Sequence, residues 1–237
     1  MLSLAHAEIL IGIISLIFAY LASVTLIGTG QALVAQWAGY PTPSEAGFVS
    51  LNPLYYIDLF GFFCVLILGF GWGKTLPFNP LRVDEPHRSW RVLLVYLTEP
   101  ILALVIACGA LVGNIVLLGP ESLCVTMQYT FFDSWTHRIP IHHLATVTHG
   151  ASHSALVLSI LCIALVSINM FIAMWGFIYN SCYYALYIGA EKGYAYMKHM
   201  NVILVIAPIV LIFTIAPSLM TFLLHMLVQV AFRITGH

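Results

Sequence analysis

Half of the chain's ten histidines, His137, His142, His143, His149 and His153, fall in one short stretch, with Asp133 just upstream. Imidazole nitrogens bind zinc, copper and haem iron. A helical turn over 149–153 would set His149 and His153 on one face as a two-ligand pair. No glutamate follows His149 as a general base for a metal-bound water, and Gly150 weakens a helix there. A solvated or subunit-facing loop explains these histidines more economically.

Asp58 is the second candidate, since a carboxylate inside an apolar run costs on the order of 3 kcal/mol at a bilayer centre. It reads as a structural hydrogen-bond hub held by Gln31, Thr29 or a tyrosine, as a contact to another subunit, or as a remnant of metal or proton chemistry. The hub is the simplest of the three. Glu99, at the entry to an apolar run, and Glu8 read as anions stabilised at helix N-termini, with Arg88 or Arg91 near Glu99.

Composition dictates the elements that must position these groups. Of 237 residues, 61% are hydrophobic and 7% charged, and the mean hydropathy is +0.99. A soluble domain carries about 25% charged residues. The expectation is an all-α, polytopic membrane helix bundle forming a single integral domain over residues 1–237. Five runs are long enough to cross a bilayer, approximately 9–30, 54–72, 92–118, 155–178 and 202–229. Pro208 and Pro217 kink the last. YYALYIGA at 183–190 is too short to span alone, so it lies at the interface or lengthens the fourth helix, and six crossings stay open. The N-terminal run lacks a basic leader and is too long for a signal peptide, which makes it a retained first span.

The links are informative as well. Residues 31–53 read as a re-entrant or interfacial link, and 119–154 as an extended polar loop between spans three and four, of a length usually tied to function or interaction. Tyr55, Tyr56, Trp72, Trp90, Tyr179, Tyr183 and Tyr184 fall at span ends, as interfacial belts do. With five spans, Lys74, Arg82, Arg88, Arg91, Lys192 and Lys198 share the side of the N-terminus, against Arg138 and Arg233. The positive-inside rule then places the N-terminus on the cytoplasmic or matrix side of a bacterial or organellar inner membrane. A net charge of −1 without a basic block disfavours nucleic acid. Five scattered cysteines provide neither a disulfide framework nor a zinc knuckle. No internal repeat or paired midplane charge points to a transporter.

One region carries a more specific pattern. LNPLYYIDLFG at 51–61 and GFGWGKTLPFNP at 69–80 follow an apolar helix and a short Gly-containing link. With Asn52, Pro53, Asp58, Gly61, Gly71, Trp72, Lys74, Pro77, Asn79 and Pro80 in matching order, the chain resembles the site-2 protease family of intramembrane zinc metalloproteases. That family carries His-Glu-x-x-His on the preceding helix, two imidazoles for zinc and a glutamate beside the bound water. Aligned through LVAQW, the histidines fall on Ile27 and Gln31 and the glutamate on Gly28. None can serve, since Ile27 has no lone pair, Gly28 no side chain, and a neutral amide is a poor zinc ligand.

The departures continue downstream. Where the family has Gly-Pro and then asparagine, this chain has Glu99, Pro100 and Ala103. A later Asn-bearing helix aligns through Asn169, Trp175 and Gly176, but Tyr179 takes the place of its proline and Tyr184 approximately that of its aspartate. The patch Gly28-Thr29-Gly30 reads as a helix-packing surface. The resemblance therefore implies a site-2-protease-like core with a degenerate motif at Ile27, Gly28, Gln31 and Asp58, and with Asn52, Pro53, Trp72 and Lys74 as structural residues. The function expected is a catalytically inactive membrane subunit that needs no cofactor and scaffolds or stabilises a hetero-oligomeric complex, its partners being other membrane subunits and lipid. The alternative is a membrane metal-dependent protease or redox protein that uses loop 137–153, with His149 and His153 on zinc or haem.

Overall fold

The computed structural model describes residues 4–79, 83, 88–120, 122–128, 152–191, 222, 225–226 and 228–235. All regular structure among them is helical. Helix α1 spans Leu4–Trp37, α2 Thr42–Glu45, and a 3-10 turn Pro53–Tyr55. Helix α3 spans Leu59–Leu68, α4 Arg88–Leu118, α5 Ser122–Gln128 and α6 His153–Glu191. Residues 228–235 are helical as well.

Among the described residues, three stretches are long and apolar enough to cross a membrane, Ile9–Trp37, Ser89–Leu118 and His153–Ala185. At 1.5 Å per residue each exceeds a hydrocarbon core of about 30 Å. The chain is thus an all-helical membrane protein. The first, third and fourth expected spans coincide with these helices, and YYALYIGA continues α6. Most of the expected fifth span and most of loop 119–154, including His137, His142, His143 and His149, lie outside the described residues. Inside that loop, 122–128 is helical.

The expected second span, 54–72, is different. Its helical part is only ten residues, about 15 Å long, and Gly69 ends it in the left-handed region at φ 78°, which glycine adopts without strain. The chain then runs on without regular structure through 70–79. Apolarity alone did not reveal that Gly69 turns the backbone.

The three long helices share one core. Asn114 on α4 meets Ser159, and Tyr96 meets Asn180, so α4 and α6 run antiparallel. Gln31 meets the Val95 carbonyl and Ala38 meets Arg91, so α1 is antiparallel to α4. Small residues allow the approach. A Cβ on Gly176 would stand 3.3 Å from Pro100 Cδ. Pro100 has no N–H to give the Tyr96 carbonyl one turn earlier, and the Asn180 amide donates to that carbonyl at 2.9 Å instead. The packing that Gly176 permits therefore repairs the break that Pro100 makes.

Candidate functional site

The site is the surface of α1 over Ile27–Gln31, faced by the link that precedes α3. Ile27 is buried in the core with Val24, Tyr56 and Ala173. Gly28 lies directly beneath the Tyr56 ring, which occupies the space a side chain at residue 28 would need. That ring is 1% exposed. Its hydroxyl donates to the Phe48 carbonyl and lies 3.0 Å from the Ser50 carbonyl. Thr29 donates to the Ser50 carbonyl at 2.8 Å and lies 3.0 Å from the Tyr56 hydroxyl. Two hydroxyls and two carbonyls thus fasten the 48–56 link onto α1. Gln31 turns its amide away to donate to the Val95 carbonyl on α4 at 3.2 Å. Gly30 receives Leu102 of α4 where a Cβ would stand.

Asp58 has a local task. It is the N-cap of α3, its Oδ1 accepting from the Gly61 N–H at 2.7 Å, which satisfies one of the unpaired donors of the first turn. The carboxylate's partner is this backbone amide, in place of the expected Gln31, Thr29 or tyrosine. Tyr20 reaches the Asp58 backbone carbonyl at 3.4 Å and the Trp72 carbonyl at 3.0 Å. Asn52 similarly caps the 3-10 turn that Pro53 opens, its side chain accepting from the Leu54 N–H at 3.1 Å.

The segment after α3 packs back on it. A Cβ on Gly61 would strike the Trp72 carbonyl, and one on Gly71 the Gly61 carbonyl. Trp72 stacks on Trp175 of α6, with ring centroids 6.0 Å apart and planes 14° apart. Phe171, Trp175, Tyr179 and Tyr183 recur every four residues along α6, each ring against the next. Lys74 is exposed, with Nζ 5.9 Å from the Phe48 ring centroid.

One sequence expectation needs correction. Glu99 lies well inside α4, which begins at Arg88; it is partly buried and accepts from Asn180 at 2.9 Å. The helix N-terminus and Arg91 are not its partners, and the Arg91 guanidinium points to the Ala38 carbonyl at 3.5 Å. Asn169, Tyr179 and Tyr184 sit in the unbroken α6 with no Pro-rich turn. Asn169 donates to Ser23 Oγ at 2.7 Å and to the Leu165 carbonyl at 2.8 Å, tying α6 to α1 one turn from Ile27.

The residues that the resemblance aligns with the family's metal position do not fit zinc. Ile27 and Gly28 offer no donor atom, the Gln31 amide is engaged on α4, and Asp58 caps α3. Among the described residues no three His, Cys, Asp or Glu side chains gather as a metal site. His153 begins α6 and is exposed. Sequence reasoning placed Tyr56 in an interfacial belt and missed its position over Gly28. The signal was Gly28 itself, since a residue without a side chain on a packed helix leaves a space that some other group must fill.

Over 92 residues the chain is 30% identical to the "Putative zinc metalloprotease YwhC" of Bacillus subtilis (strain 168), a match that takes in 39% of this chain. It spans 41% of that relative's length. No family model matches the chain, and no solved structure matches it.

Proposed function

We propose that this chain is a site-2-protease-like membrane subunit without protease activity, whose role is to hold other membrane subunits in a larger complex. The observation that carries this reading is the Tyr56 ring seated over Gly28, at the position where the family has its catalytic glutamate. Water activation needs a vacant volume beside a metal and a base; here an aromatic ring and a hydrogen-bonded link fill that volume. The likeness to a named metalloprotease supports a common scaffold and says nothing of retained chemistry.

The remaining surface is in keeping with a scaffold role. Association within lipid depends on close packing and interhelical polar contacts, and α1 presents Leu10, Ile14, Phe18, Leu26, Leu33 and Trp37 outward. The partners are other membrane proteins and lipid, and the membrane is a bacterial or organellar inner membrane. Gentle detergent extraction of a tagged chain tests the role. A stable complex of fixed stoichiometry containing several other membrane proteins is the expected result. A solitary chain that cleaves a membrane-embedded peptide would overturn it.

A further inference from the structure

Tyr40, Val83, Val92 and Tyr187 pack in one cluster with Phe78 and Tyr96 against it. Tyr40 lies just beyond α1, Val92 in the first turns of α4, and Tyr187 near the end of α6. The end of α1, the start of α4 and the end of α6 therefore share one level of the bundle. Because Tyr40 and Phe78 touch there, with ring centroids 5.2 Å apart, the intervening segment must leave that level and return to it.

The details of the excursion agree. Helix α3, at about 15 Å, is half the length needed to cross. Its entry at Asp58 and its return at Trp72 are both held by the single Tyr20 hydroxyl. Beside them the Lys74 N–H donates to the Tyr56 carbonyl at 2.8 Å. Non-helical backbone is tolerated at membrane depth where protein covers it, and Gly61, Gly71 and the aromatic side chains of α6 provide that cover.

We propose that residues 41–77 form a re-entrant hairpin that enters and leaves the membrane on one face, and that this face is cytoplasmic, its basic residues set against anionic lipid headgroups. The hairpin changes the parity of the chain. Helices α1, α4 and α6 become successive crossings, so the N-terminus lies opposite the hairpin ends, the reverse of the orientation expected from five spans. Arg88 and Arg91 sit at the hairpin side, and Arg82 and Lys192 adjoin it in sequence. The link from α4 to α6 on the other side carries Arg138 as its one Lys or Arg. Basic residues are retained on the cytoplasmic side, where the leaflet's negative surface attracts them.

This inference does not depend on whether the chain is proteolytically active. It is tested on the full chain expressed in a bacterial inner membrane, with single cysteines placed at Glu45 and Asn79, on either side of α3, and at Ser152, before α6. A membrane-impermeant maleimide is applied to spheroplasts and to inverted vesicles, and labelling is read above that of the parent's own thiols. Glu45→Cys and Asn79→Cys are expected to label in inverted vesicles, and Ser152→Cys in spheroplasts. Labelling of Glu45→Cys and Asn79→Cys from opposite faces overturns the hairpin; the reversed pattern overturns the orientation. An epitope tag on the N-terminus of the otherwise unaltered chain gives an independent reading. Protease should remove it from spheroplasts, and protection there overturns the proposed orientation.

Discussion

The Tyr56 ring can lie on α1 only because residue 28 has no side chain. Gly28→Ala drives a methyl into that ring and is expected to destabilise the protein by about 1–3 kcal/mol, as overpacking does. Tyr56→Phe keeps the ring but leaves the Phe48 carbonyl and Thr29 short of a partner, an expected loss of about 1–2 kcal/mol. Denaturant unfolding in detergent micelles checks both, and an unchanged midpoint in the Gly28 variant would contradict the packing. Asp58→Ala removes an N-cap at about 1 kcal/mol, whereas Asp58→Asn, which can still cap, is expected to cost little. At this scale the sequence was legible where a residue type was missing. The residue types at Ile27, Gly28 and Gln31 could be read directly. That Asp58 caps a helix could not, because the cap depends on where α3 begins, and the apolar run around it conceals that boundary.

The helices carry two arguments of their own. Pro100 and Asn180 form one unit across α4 and α6, so Asn180→Leu leaves the Tyr96 carbonyl and Glu99 without their shared donor. A loss of about 1–3 kcal/mol is expected, while Glu99→Gln, which keeps an acceptor for Asn180, should cost less than about 1 kcal/mol. Equal losses in the two variants would contradict the idea that Asn180 repairs the proline break. In the hairpin, a Cβ on Gly71 meets the Gly61 carbonyl and stands 2.6 Å from Val65 Cγ2. Gly71→Ala should therefore part the two legs, destabilise the fold by about 1–3 kcal/mol, and expose 70–79 to limited proteolysis. The long apolar helices were legible because length and hydropathy suffice for them. The hairpin was hidden by the same criterion, since 54–72 is apolar enough to pass for a span; the glycines at 69, 71 and 73 were its local trace.

For the molecule as a whole, the helical membrane bundle followed from composition, whereas the sidedness of its ends did not. Sidedness depends on the number of crossings, and a hairpin in place of a span reverses every later loop. The core also gives the residues of the protease-like pattern a structural use. Asn52, Pro53, Gly61, Gly71 and Trp72 serve caps, turns and close packing, which are needed whether or not a metal is held. The measurement that tests the central claim most directly is elemental analysis of zinc in the purified full-length chain, beside its Asp58→Ala variant. The account predicts well under one zinc per chain in both. One zinc per chain, lost in the Asp58→Ala variant, would contradict it.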